Sequence, residues 1–357
     1  GPGRTLDRRV TAMAWAPDGT LLVADTRDGQ PWLTRSTRDG DVFWAEPFHF
    51  TCDCQIIEIG FSSFEQLVVL GEGTGDWDQT WFELSGYFMR PNAIDFVWRE
   101  SAPVFGLAER PARVGSLLSL TDGSLIVLAA QVGLDFNGLE TDWFEARYYA
   151  NADPSSVWQL DTQLATAPPR RPLGVALPLD ELAFALPGGA GEGDYVVWSK
   201  SWYDMITASQ PLPGPVDVMA VGPEAAVVTA GVDRSEPGNA VLTIASVPPG
   251  QPPAWVETTS VLAPEPGAPA LAVDAAGSAY VALRTLSAAS GEPEVLLLRL
   301  APDGTPLWTT TLPLPVREAP RPVVLSLAPD DDQDLVLAAI IDGHLHLERR
   351  EQGCRCD

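Results

Sequence analysis

Two stretches of this chain gather carboxylates and large aromatic rings within a few positions of each other. The first is Gly71-Glu-Gly-Thr-Gly-Asp76-Trp77-Asp78, with Trp81 close behind; the second runs from Gln131 through Asp135 and Phe136 to Asp142 and Trp143. Acids interleaved with rings suit three kinds of chemistry: holding a cation, stacking against a sugar, or meeting a basic patch on a protein. A glycosidase would need two facing carboxylates at a defined separation. Asp76, Asp78, Asp135 and Asp142 are candidates that spacing alone does not pair. A sialidase-like site would also want clustered arginines for a substrate carboxylate, and Arg99, Arg110, Arg113, Arg170, Arg171, Arg317 and Arg321 are expected in connections on the same side. The competing reading is that acidic loops serve only solubility.

Other reactive side chains are scarce. The four cysteines form two Cys-x-Cys motifs, Cys52-Asp-Cys54 and Cys354-Arg-Cys356. On a strand, residues i and i+2 share a face, so each motif presents two sulfurs together. Disulfides between or within the motifs are the leading expectation, preferably between them, so that the tail staples the chain. A four-thiolate zinc site has the right count but a shorter spacing than structural zinc prefers. Histidine occurs only at 49, 344 and 346. His344-x-His346 shares one strand face yet makes at most a two-ligand metal site, and His49, between Phe48 and Phe50, reads as a packed strand residue. Asp330-Asp-Asp-Gln-Asp334 resembles a calcium loop in composition but lacks its central glycine, so a solvated turn is expected. The single lysine, Lys200, ends an apolar strand and is the only residue that could form a Schiff base. No cofactor is expected, with calcium or zinc the ones to consider.

Charge narrows the partners. With 48 acidic against 22 basic residues, the formal charge is -26 at pH 7. Nucleic acid and anionic membrane surfaces need a basic footprint and are poor partners, which leaves a protein or a glycan. The apolar run from Leu117 to Leu128 is broken by Thr121-Asp-Gly, so membrane insertion is not expected. The chain opens on Gly1-Pro-Gly without a charged-then-apolar leader, as a processed secreted protein would. Arginine in place of lysine, with abundant Ala, Pro and Gly, points to a GC-rich bacterial source.

What must position these residues is a repeat. Val10 to Ala24 and Ala270 to Ala282 each read as an apolar strand, a tight polar turn and a returning apolar strand, and related units recur at intervals of roughly fifty residues. Asp-Gly pairs at 18–19, 28–29, 39–40, 122–123, 303–304 and 342–343 mark hairpin turns, because these residues tolerate positive φ. No helical period is present, and 33 prolines lie mostly between the strand runs. Each unit is written as four strands, the third a mixed strand such as Trp32–Ser36 and the fourth often carrying a tryptophan: Trp44, Trp98, Trp158, Trp255 and Trp308. A degenerate unit falls near 203–208. The expected role of these indoles is to wedge neighbouring units apart, each burying about 150–250 Å². The pattern predicts an all-β, seven-bladed β-propeller of four-stranded antiparallel blades, a single domain over 1–357. Its blades fall at 10–50, 51–105, 106–163, 164–211, 212–262, 263–315 and 316–349, with the last completed by an N-terminal strand at 3–9 and followed by a Cys-containing tail, 350–357.

The segment Leu271–Ala282, followed by Leu296-Leu-Leu-Arg-Leu-Ala-Pro-Asp-Gly-Thr-Pro-Leu-Trp-Thr-Thr310, resembles the seven-bladed-propeller repeats of secreted bacterial proteins. Thr37-Arg-Asp39-Gly-Asp41-Val-Phe-Trp44 and Asn151-Ala-Asp153-Pro-Ser155-Ser-Val-Trp158 are similar to Asp-boxes, with Asp41 and Ser155 where that motif has glycine. Asp-boxes are structural turns of sialidases and of many non-enzymes, so the resemblance implies a fold and transfers no reaction. The Asp-Gly…Trp spacing is also similar to that of quinone-cofactor propellers, but the adjacent Cys-Cys pair expected there is missing. The resulting expectation is a secreted or envelope-associated recognition or scaffold module, binding through Asp76, Trp77, Asp78, Trp81, Asp135, Phe136, Asp142 and Trp143. The alternatives are a glycosidase or sialidase-like hydrolase, or a structural subunit of a cell-surface assembly.

Overall fold

A computed structural model describes residues 8–27, 29–37, 41–50, 53–62, 65–74, 80–104, 112–134, 140–150, 153–161, 172–186, 194–199, 206–235, 238–262, 268–313, 324–329, 335–341 and 344–350. Strands dominate. The first sheet holds β1 (Arg8–Trp15), β2 (Leu21–Arg27), β3 (Gln30–Ser36) and β4 (Val42–Pro47), and the second β5 (Asp53–Phe61), β6 (Leu67–Thr74), β7 (Thr80–Arg90) and β8 (Ala93–Val104). The third holds β9 (Arg113–Ser119), β10 (Leu125–Leu134), β11 (Glu140–Ala150) and β12 (Asp153–Asp161). The fourth holds β13 (Leu173–Ala176), β14 (Leu182–Leu186), β15 (Tyr195–Ser199) and β16 (Ile206–Pro211). The fifth holds β17 (Val218–Val221), β18 (Val227–Asp233), β19 (Ala240–Val247) and β20 (Trp255–Val261). The sixth holds β21 (Ala270–Val273), β22 (Ala279–Leu286), β23 (Pro293–Leu300) and β24 (Pro306–Pro313), and the last sheet β25 (Val324–Pro329), β26 (Leu335–Ile341) and β27 (His344–Arg350).

Within each sheet consecutive strands pair antiparallel in chain order. The innermost strands β1, β5, β9, β13, β17, β21 and β25 touch in succession, and β25 returns to β1. This is an all-β propeller of four-stranded antiparallel blades. Six blades are four-stranded where seven were expected; the sheet β25–β27 has three strands among the described residues. Of the N-terminal strand expected at 3–9, only Arg8 and Arg9 are described. Arg8 and Arg9 open β1, pairing with Arg27 and Thr26 of β2. Residues 3–7 lie outside the described set.

A meander of this kind sorts its loops onto two faces. Turns between first and second strands, and between third and fourth, lie on one face. Loops between second and third strands, and the connections between blades, lie on the other, called here the connection face. Six described first-to-second turns share one hydrogen bond and one positive-φ position. The first residue donates its N–H to the carbonyl of the fifth in 16–20, 62–66, 120–124, 177–181, 222–226 and 274–278. The fourth residue has positive φ each time: Gly19, Glu65, Gly123, Asp180, Ala225 and Gly277. Asp18 and Asp122 brace two of these turns through the N–H of Thr20 and Ser124, and Asp303 braces Thr305 in the same way between β23 and β24. The Asp-Gly signals at 18–19, 122–123 and 303–304 therefore mark real turns, whereas 39–40 and 342–343 fall outside the described residues.

Tryptophans 44, 98, 158, 255 and 308 all lie on fourth strands. Trp44 is buried with Ile56, Ile59, Leu67 and Tyr87 of the next blade. Trp255 packs on the fifth–sixth blade core, and its indole N–H donates to the Pro302 carbonyl at 2.8 Å. Trp98 lies across Gly86, where a Cβ would come within 2.3 Å of the indole nitrogen. The side chain of Trp158 lies outside the described set. The fourth blade has no tryptophan on its fourth strand; Trp198, on the third, packs against Val216 and Val227 of the fifth blade instead. Five fourth strands carry a register shift beside their inner neighbour. Phe43, Val97 and Leu307, the residues just before three of the tryptophans, sit at such bulges and are exposed. Their exposure follows from the bulge, which turns an extra residue outward.

Candidate functional site

The expected loop residues are carried on well-paired stems. The second blade's ladder runs to Thr74↔Thr80, and the third blade's to Leu134↔Glu140. Asp76, Trp77, Asp78, Asp135 and Phe136 lie beyond these stems, outside the described residues. Asp142 and Trp143 are on β11, opposite Val132 and Gln131. Trp81 is the second residue of β7, half-buried, and its indole nitrogen is buried without a hydrogen-bond partner.

Alternation along β7 sorts its side chains. Phe82 and Leu84 enter the core shared with the third blade, so Trp81, Glu83, Ser85 and Tyr87 project to the side facing the first blade. There they meet Arg99 of β8. Glu83 is fully buried, with Oε1 2.8 Å from Arg99 Nε. The same nitrogen lies 3.4 Å from Ser85 Oγ, and Arg99 Nη2 donates to the His49 carbonyl at 2.6 Å. The guanidinium stands 5.3 Å from the centroid of Phe96. A buried carboxylate is costly unless paired and hydrogen-bonded, which is why Arg99 is drawn inward here. Burial pushes the Tyr87 phenol above its ordinary value, against the opposing pull of Ser85 and Arg99, so it stays protonated.

The described part of the connection from the first blade to the second, residues 48–50, covers this network. Phe48 is buried and stacks in chain on Phe50 and Tyr87, at centroid distances of 4.8 and 5.1 Å, and Tyr87 meets Phe96 edge-on at 5.8 Å. Phe50 lies over Gly71, where a Cβ would approach its ring to 2.5 Å. Only glycine lets the connection lie so close to β6. His49 is exposed in this connection, not packed in a strand as expected, and its Nδ1 lies 3.3 Å from Gln30 Nε2. Its two phenylalanine neighbours turn inward, and that leaves the ring between them outside.

Carboxylates, two of them buried, fasten other strand ends beneath the same face. Glu72 accepts the Val114 N–H at 2.9 Å, Asp194 accepts that of Val216 at 2.7 Å, and each ties one blade to the next. In the first blade Asp25, 3% exposed, holds Arg27 through two contacts of 2.7 and 2.9 Å, and Arg27 lies 4.4 Å over Trp32. Of the arginines expected to cluster, Arg99 is mid-strand in β8 rather than in a connection, and it is committed to Glu83. Arg113 is exposed at the start of β9; Arg110, Arg170, Arg171, Arg317 and Arg321 lie outside the described residues. So do Cys52, Cys354, Cys356, Lys200 and Asp330–Asp334. Among the described residues no three of His, Cys, Asp and Glu converge as metal ligands, and no helix is long and apolar enough to cross a membrane.

Sequence reasoning missed the Glu83–Ser85–Tyr87 row. The signal was present as Trp81-x-Glu83-x-Ser85-x-Tyr87, a polar and aromatic face on a strand that must be covered on both sides.

No family model and no curated protein matches the sequence. Among solved structures, the chain is similar to a candidate 6-phosphogluconolactonase from Bacteroides uniformis, with TM-score 0.51 and 11% identity over 90% of this chain and 88% of that one. It also aligns with a subtype N10 neuraminidase-like protein of A/little yellow-shouldered bat/Guatemala/060/2010 (TM-score 0.49, 10% identity, 79% and 93% covered). A third is Drosophila Semaphorin 1b, extracellular domains 1-2 (TM-score 0.47, 10% identity, 98% and 86% covered). At such identities the likeness concerns fold and does not extend to activity.

Proposed function

We propose that this chain is a recognition propeller, secreted or attached to a bacterial envelope, that binds a protein or a glycan through the connection face of its second and third blades. The supporting observation is the way that face is built. The 75–79 and 135–139 loops, which bring Asp76, Trp77, Asp78, Asp135 and Phe136, spring from fully paired stems. Beneath them Glu72 and Glu83 lock the second blade to both neighbours. Variable loops on a rigid stem are how scaffolds present recognition surfaces. Replacing Trp77 and Asp78 with Ala should abolish partner capture in a pull-down and leave thermal unfolding unchanged; undiminished capture would refute this face. A panel of chromogenic glycosides tests the alternative hydrolase reading. Turnover that disappears on changing one loop carboxylate would replace recognition with catalysis.

On this reading the sheet β25–β27 serves as a seventh blade, since β25 closes the inner ring between β21 and β1. Cys54, buried near the start of β5, is disulfide-bonded. We assign its partner as Cys52, not the tail cysteines preferred from sequence. β27 ends at Arg350 on the face opposite Cys54, about 20 Å away along the strand direction alone. The first blade also stands between them, and six extended residues from Arg350 to Cys356 reach only about 21 Å. Peptide mapping without reductant tests the pairing: a Cys54 peptide linked to one containing Cys354 or Cys356 would overturn it.

A further inference from the structure

We infer that the outer mouth of the seam between the first and second blades, formed by Gln30, His49, Phe96 and Arg99, is a subsite for an uncharged sugar. The inference rests on the recognition reading and names its ligand class. Arg99 is 28% exposed. Glu83, Ser85 and the His49 carbonyl hold its Nε and Nη2, and among the described residues nothing bonds Nη1. The guanidinium is thus fixed in plane with one donor edge left over, the arrangement that suits a pair of neighbouring oxygens. Phe96 lies beneath the guanidinium at 5.3 Å, with Tyr87 against it edge-on, and the rest of its ring, 56% exposed, offers an apolar surface. His49 and Gln30 add an imidazole and an amide at the rim, 3.3 Å apart. A planar donor fork, mixed donor–acceptor groups and an open ring together match a pyranose, with hydroxyls on its edge and C–H groups on its face.

Charge decides between sugar classes. Glu83 already lies against Arg99 at contact distance, so a carboxylate ligand would bring a second anion to the same guanidinium. It would also approach a chain of formal charge -26, whose field opposes anions at long range. A neutral glycoside meets neither penalty.

Saturation-transfer NMR on the intact chain tests this with methyl glycosides of glucose, galactose and mannose, and with glucuronate as the anionic control. At least one neutral glycoside should show transfer that is equal at low and high salt. Its apparent affinity should fall by about tenfold or more in Arg99→Lys, which keeps the charge but loses the fork, and in Phe96→Ala. Phe96→Trp, which keeps a ring, should restore it. His49→Ala alters only an exposed side chain and should weaken binding even if Arg99→Lys fails to fold. Absence of transfer from every neutral glycoside would overturn the proposal, as would transfer untouched by Phe96→Ala and His49→Ala, or salt-sensitive transfer from glucuronate alone. Partner capture lost in the Trp77/Asp78 variant, without any sugar transfer, would refute the subsite and keep the face. Sugar transfer with undiminished capture in that variant would do the reverse.

Discussion

The seam between the fifth and sixth blades and the seam between the first and second are built on the same plan and filled differently. In the former, Ala230, Val232, Leu242 and Ile244 meet Val281, Leu283, Leu298 and Leu300 in an aliphatic wall, closed at its rim by Trp255. In the latter, Leu22, Ala24, Leu33 and Trp44 meet Ile59, Leu67 and Val69, but the connection-side half gives way to Glu83, Ser85, Tyr87 and Arg99 under a covering of Phe48 and Phe50. An aliphatic wall gains stability from area removed from water and requires no particular partner. A buried ion pair gains little over an apolar filling of the same shape, since desolvation offsets attraction. What it does provide is orientation. The first seam is therefore the one expected to tolerate stability-neutral repacking at the expense of binding, and the fifth–sixth seam the reverse.

Breaking the aliphatic wall should have the largest effect. Leu242→Ala, at a position fully withdrawn from solvent, should lower unfolding free energy by about 2–5 kcal/mol in denaturant titration, with sugar and partner binding unchanged when folded. Glu83→Gln should cost about 1–3 kcal/mol by removing the charge opposite Arg99. The double change Glu83→Met with Arg99→Leu should recover most of that loss yet abolish sugar binding; persistent instability would show that the pair supports the seam itself. Gly86→Ala, whose added carbon meets the Trp98 indole at 2.3 Å, should cost about 1–3 kcal/mol through overpacking.

The smallest expected effect is electrostatic and lies on the opposite face. Partial burial alone would raise the Asp18 carboxyl; the Thr20 hydroxyl and N–H, then Arg35, outweigh it and hold the group below its ordinary value. A lowered carboxylate stabilises the fold above its unfolded pKa, and that contribution disappears as pH falls through the folded value. Asp18→Asn should therefore lower stability at neutral pH by less than about 1 kcal/mol for so exposed a group. The difference from wild type should shrink as pH drops through the carboxylate range. A gap that widened in acid would contradict the assigned brace.

Much of the architecture was legible because it is written in local terms. Asp-Gly at 18–19 and 122–123 requires a turn through φ, and alternating apolar residues on both sides require strands that pair across it. The indoles at 44, 98, 255 and 308 mark fourth strands through their repeat interval alone. Trp81, expected among the binding residues of the second-blade loop, stands on β7 with its ring half-buried. Glu83 and Arg99 were harder. They are sixteen positions apart in the chain, and nothing in their spacing announces that β7 and β8 bring them to 2.8 Å. The same holds for His49, whose neighbours suggested burial until the connection between blades was seen to turn both phenylalanines inward.

The sequence by itself determined the strands, their turns and the wedge tryptophans, because each depends on φ preference and on apolar alternation among near neighbours. Only the tertiary structure decided that six blades are four-stranded among the described residues, that Arg8 and Arg9 belong to the innermost strand of the first, and that a buried acid draws Arg99 in against β7. Those outcomes depend on contacts between residues far apart in the chain. Ring closure and desolvation select among such contacts, and local preference does not encode them.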